Sequence, residues 1–120
     1  MSRDFYIVLH IAALAQLFAA VGGLALAAHA SAEAAAKIRR LALAAHGVAL
    51  LVILVAGFGL QAKGGYALTD GWFLGKLALW LLFGGIAAIP ARKPHLAVPV
   101  FFAMPVLAAI GAWLAVFKPF

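Results

Sequence analysis

The 120-residue chain contains no cysteine. Disulfides, thiolate ligation of a metal or haem, and covalent haem attachment through a C-x-x-C-H motif are therefore excluded. Acidic residues are nearly as scarce, with three Asp and Glu against nine Lys and Arg. Methionine occurs only at Met1 and Met104, too little for a thioether copper site. Charged residues of either sign make up 10% of the chain and hydrophobic residues 68%, a balance that would leave a soluble domain of this size with too much apolar surface in water.

The few charges are clustered. They fall at Arg3 and Asp4, between Glu33 and Arg40, between Lys63 and Lys76, at Arg92 and Lys93, and at Lys118. The intervening stretches, Phe5 to Ala32, Leu41 to Ala62, Leu77 to Ala91 and Pro94 to Phe117, are apolar. A spanning helix needs about 20 mostly apolar residues. Three stretches meet this directly, and the third meets it if it starts near Gly71 and carries Lys76 inside it. The first is far longer than the roughly 7–15 residues of a signal-peptide core, so it reads as a retained span. The net charge of +6 flanks hydrophobic segments, which points to topology signals and lipid headgroup contacts and away from nucleic acid.

These features predict an all-α integral membrane four-helix bundle, one domain over residues 1–120, with helices at about 4–30, 32–62, 71–89 and 96–117. Ser31 is a fitting N-cap for helix 2, with Glu33 in its first turn and a Glu33–Lys37 i,i+4 pair behind it. Lys63-Gly64-Gly65 ends that helix, and Thr69 or Asp70 caps the next. Pro90 and Pro94 bracket a basic turn. Pro105 removes the bond to the Phe101 carbonyl inside helix 4, where a kink is expected. Lys37, Arg39, Arg40, Arg92 and Lys93 lie in the 1–2 and 3–4 loops, against Arg3, Lys63 and Lys118 at the other end. The positive-inside bias then places both termini outside, in the periplasm of a bacterial inner membrane.

Two chemistry-bearing residues lie inside the spans near the end that carries the termini. His10 is about 9 Å deep in helix 1 and Lys76 about 8 Å deep in helix 3. A lysine inside a span costs about 2.5–3.5 kcal/mol on insertion scales and usually faces a partner or a cavity. The matched depth suggests one polar pocket, with Tyr6 one turn above His10 and with Trp72 and Trp80, at i−4 and i+4 from Lys76, as walls and cation–π partners. The competing reading is a snorkelling Lys76 and a His10 hydrogen-bonded to a neighbouring helix. His46 is offset from His10 by roughly 9–10 Å along the membrane normal, which disfavours a bis-histidine haem. His29 and His95 read as boundary residues. No two histidines sit at i,i+3 or i,i+4, so the spacing of a metal site is missing. Gln16 reads as interhelical glue, and Ala15, Ala19, Gly23 and Ala27 form a small-residue stripe suited to close helix contact.

Several short patterns are present: Tyr6-Ile-Val-Leu-His10, the Arg39-Arg40 entry to helix 2 with its Gly57-Phe-Gly59 exit, Trp72-Phe-Leu-Gly-Lys76-Leu-Ala-Leu, and the ending Ala112-Trp-Leu-Ala-Val-Phe-Lys118-Pro119. Together they resemble a superfamily of small four-helix membrane proteins. It comprises the SirB-type invasion-regulator family, the copper-resistance protein D domain and the bacterial membrane protoporphyrinogen oxidase. In the oxidase branch the helix 1 histidine and the helix 3 lysine are functional and haem is implied. The resemblance carries these roles to His10 and Lys76. The chain differs from that branch in having no basic residue within helix 1, and Gly84 and Gly85 where a late helix 3 histidine would stand.

Two functions follow as expectations. One is a non-catalytic accessory subunit or assembly factor that packs against lipid and against partner transmembrane helices or a second copy. The other is a haem- or porphyrin-binding membrane redox protein using haem b, with His10 and Lys76 as its cofactor residues and Tyr6, Trp72 and Trp80 around them.

Overall fold

The computed structural model describes residues 2–120. It is all-α: α1 (Arg3–Ala27), α2 (Ala32–Gly64), α3 (Gly71–Ile86), α4 (Ala88–Arg92), one 3₁₀ turn (Pro94–Leu96) and α5 (Ala97–Phe117). Four segments are long and apolar enough to cross a membrane: α1, α2, the α3–α4 unit over Gly71–Arg92, and Pro94–Phe117. At 33 residues, α2 is about 50 Å long, well beyond the roughly 30 Å hydrocarbon core.

The helix ends follow local chemistry. The Ser31 side chain caps α2 by accepting from Ala34 N at 3.3 Å. Gly65, at φ 71, ends it in the left-handed region, with Tyr66 N bonded back to Gln61 O. Asp70 holds the N-cap position of α3 without a side-chain cap bond. Helix 1 stops at Ala27 and not near Ala30, because Ala28, His29 and Ala30 bond to carbonyls three residues back and tighten the last turn. Helix 3, expected to reach Ile89, stops at Ile86. Pro90 has no N–H to give the Ile86 carbonyl, so the chain breaks at Ala87 and resumes as α4. The last helix runs on through Pro105 to Phe117.

The α1–α2 hairpin is the tightest part of the bundle. Its seam repeats every seven residues. Ala13, Ala20 and Ala27 are buried on α1, with Leu17 and Leu24 between them, and Ala35, Ala42, Ala49 and Ala56 are buried on α2. Alanine at these heptad positions lets the backbones approach closely. Of the four-residue stripe expected on helix 1, only part enters this seam. Ala27 is buried and Gly23 lies beside Ala42 and Ile38, but Ala15 and Ala19 are exposed. A period of 3.5 rather than 4 keeps a seam facing its partner over several turns. Gln16, expected as interhelical glue, is exposed on the outer face of the single chain. The wider core joins Ala13, Leu17, Val21, Ile53, Phe83 and Met104.

Candidate functional site

At the end of the bundle that carries both termini, α1, α2, α3 and α5 part around a cavity of about 520 Å³. Trp72, Phe73, Trp80 and Phe83 give it a largely apolar aromatic wall, and His10, Lys76 and Lys118 contribute to its polar lining. None of the three acidic residues of the chain, Asp4, Glu33 and Asp70, lines it.

The second turn of α1 presents His10 to this space. Its ring approaches the Ile53 backbone closely enough for a polar contact, but Nδ1 is enclosed and makes no hydrogen bond of good geometry. Enclosed polar atoms are nearly always paired, so an exception calls for an explanation, such as a water or another bound group. Lys76, from the second turn of α3, lines the same cavity, and its charge bears on His10. The structure thus brings together the two residues singled out by depth.

Trp72 and Trp80 are both cavity walls. Trp80 Nε1 donates to the Leu50 carbonyl oxygen at 2.9 Å, which fixes the ring against α2. Tyr6 is not among the lining residues. Its ring packs over Gly59 and stands edge-on to Phe5. The cation–π expectation also changes owner: the ammonium over Trp72 belongs to Lys118, not Lys76. Lys118 Nζ lies 5.1 Å from the ring centroids of both Trp72 and Tyr66 and donates to Ala115 O at 2.6 Å. Its backbone, at φ 45, turns the chain at the end of α5 and brings the side chain back over the cavity.

Sequence reasoning missed Lys118 and Gln61. Gln61 is 2% exposed and donates to Ala67 O at 2.6 Å, tying the 65–70 connection down beside the cavity. Its signal was a lone amide one turn before a Lys-Gly-Gly helix end. His46 is buried and hydrogen-bonded to Phe83 O at 2.9 Å, outside the cavity lining. His29 and His95 are exposed at the opposite end.

The chain matches no family model, no curated protein and no solved structure. The chemistry of the site therefore rests on its geometry.

The residues present fit a haem on one side. His10 offers an enclosed imidazole, the wall is apolar and aromatic, and Lys76 could face an anionic edge. His10 is the one histidine among the lining residues, since His46 lies outside the cavity with Nε2 bonded to Phe83 O.

Proposed function

We propose that this protein is a non-catalytic membrane subunit whose terminal cavity holds a largely apolar ligand with an anionic group, with haem b as the specific candidate. The observation that carries this reading is the enclosed, unpartnered Nδ1 of His10 in the cavity that Lys76 also lines, in the absence of any lining carboxylate. In a site of low effective dielectric an uncompensated ammonium favours an anion strongly. His10 would hold the haem through its imidazole, Lys76 would pair with a propionate, and Trp72 and Trp80 would flank the macrocycle. Haem bound this way would supply a one-electron redox centre. The chain's own part is to bind, to orient and to keep water from the metal face.

Accessory packing against a partner helix is a second, compatible reading. Gln16 favours it: about midway along α1, its amide is exposed among exposed Ala12, Ala15 and Ala19. An amide facing hydrocarbon gains by meeting a hydrogen-bonding partner. The basic bias of the 1–2 and 3–4 loops supports a bacterial inner-membrane location with both termini periplasmic.

The test is a Soret-region spectrum of protein purified in mild detergent after haem-supplemented expression. A band is expected for the wild type, lost in His10→Ala and weakened in Lys76→Met. A colourless wild type overturns haem as the ligand.

A further inference from the structure

Lys76, near the start of α3, and Lys118, just beyond α5, are far apart in the sequence yet line one cavity, and the charge of Lys118 bears on Lys76. We infer that Lys118 is a second anion-binding residue of this cavity, which takes an apolar ligand bearing two negative charges, one set against each lysine. This rests on the reading of the cavity as a ligand site.

Three observations carry it. First, two half-buried ammonium groups repel each other, and no acidic residue of the chain lines the space between them. A ligand with one negative charge compensates one lysine and leaves the other uncompensated in a poorly hydrated site. Second, Lys118 is positioned. Nζ lies 5.1 Å from the ring centroids of both Tyr66 and Trp72, which pack edge-to-face on each other, and the Ala115 carbonyl accepts one of its protons. A lysine serving only as a topology signal would extend into water and need no aromatic contacts. An ammonium has three donors, so two remain for a ligand oxygen. Third, Arg3, also at this cavity, is exposed, so its charge is screened by solvent and does not substitute for either lysine. Two carboxylates on a flat ring and one doubly ionised phosphate monoester share the required chemistry.

The full chain, in nanodiscs of phosphatidylcholine, is titrated with haemin, with its neutral dimethyl ester, and separately with phosphatidic acid. Quenching or shift of tryptophan fluorescence is the readout, since Trp72 and Trp80 line the cavity. Haemin or phosphatidic acid is expected to bind saturably, the one that does so identifying the source, and the neutral ester or extra phosphatidylcholine is not. Lys118→Gln should weaken that binding by about tenfold, as expected for one lost charge pair, while Lys118→Arg stays within about threefold. Thermal unfolding of both variants should match the wild type. Equal binding by Lys118→Gln and wild type, with binding lost in Lys76→Met, overturns the second anion site and leaves the ligand pocket standing. Equal binding of charged and neutral porphyrins overturns the charge argument. No saturable binding by any of them to the wild type removes both.

Discussion

His46 Nε2, midway along α2, donates to the carbonyl oxygen of Phe83 in the last turn of α3 at 2.9 Å. That carbonyl lacks its usual intrahelical partner, because α3 ends at Ile86 and the Ala87 N–H turns to Gly85 O. The one buried histidine of the core therefore serves as a C-terminal cap, which removes it from ligand chemistry. Replacing it separates structure from function. His46→Ala should cost about 1–3 kcal/mol from the orphaned carbonyl and the space left behind, read as a lower midpoint of unfolding in detergent. Ligand affinity per folded molecule should not change.

The alanine seam predicts a sharp contrast between two faces of α1 and α2. Ala49→Leu forces a large side chain into the closest part of the hairpin and should lower bundle stability by about 1–3 kcal/mol. Ala19→Leu, on the exposed face, should leave unfolding of the single chain unchanged. If Ala19→Leu instead reduces co-purification of a partner or a second copy, the exposed face is an association surface.

Gly59 is where α2 passes under the Tyr6 ring, and a methyl group there would run into it. Gly59→Ala should destabilise the hairpin by about 1–3 kcal/mol. The double variant Gly59→Ala with Tyr6→Ala should recover part of that loss relative to the sum of the single changes. A strictly additive double-mutant cycle would show that the two positions do not meet.

Topology is tested by single cysteines at Ser2 and Ala34, which the cysteine-free chain makes clean. An impermeant thiol reagent on intact cells should label position 2 and spare position 34. Labelling at 34 alone would invert the orientation drawn from the loop charges.

The four spans and the Ser31 cap were legible in the sequence, because hydropathy and capping chemistry are local quantities. Pro90 marks the end of helix 3 in the sequence, but the break falls three residues earlier than Ile89, because the proline leaves the Ile86 carbonyl without its helical donor. What stayed hidden depends on which helix faces which. In an alanine-rich chain, periods of 3.5 and 4 both find matches, so the seam through Ala13, Ala20 and Ala27 could not be told from the stripe through Ala15 and Ala19. Trp72 offered Lys76 as a cation partner one turn away, while its actual partner, Lys118, lies 46 residues further along the chain and arrives only through the packing of α5 on α3. Tyr6 was placed on the His10 face by periodicity, but its long ring reaches sideways to Gly59.

The central claim is that the terminal cavity holds an anionic, largely apolar ligand. Native mass spectrometry of the full chain released from its own membranes tests this most directly. Wild type and Lys76→Met are compared, and the bound molecules are identified by dissociation. The account predicts a one-to-one adduct with an anionic apolar molecule on the wild type, absent or much reduced on Lys76→Met. A wild-type protein carrying only bulk phospholipid, in the same proportions as Lys76→Met, would contradict it.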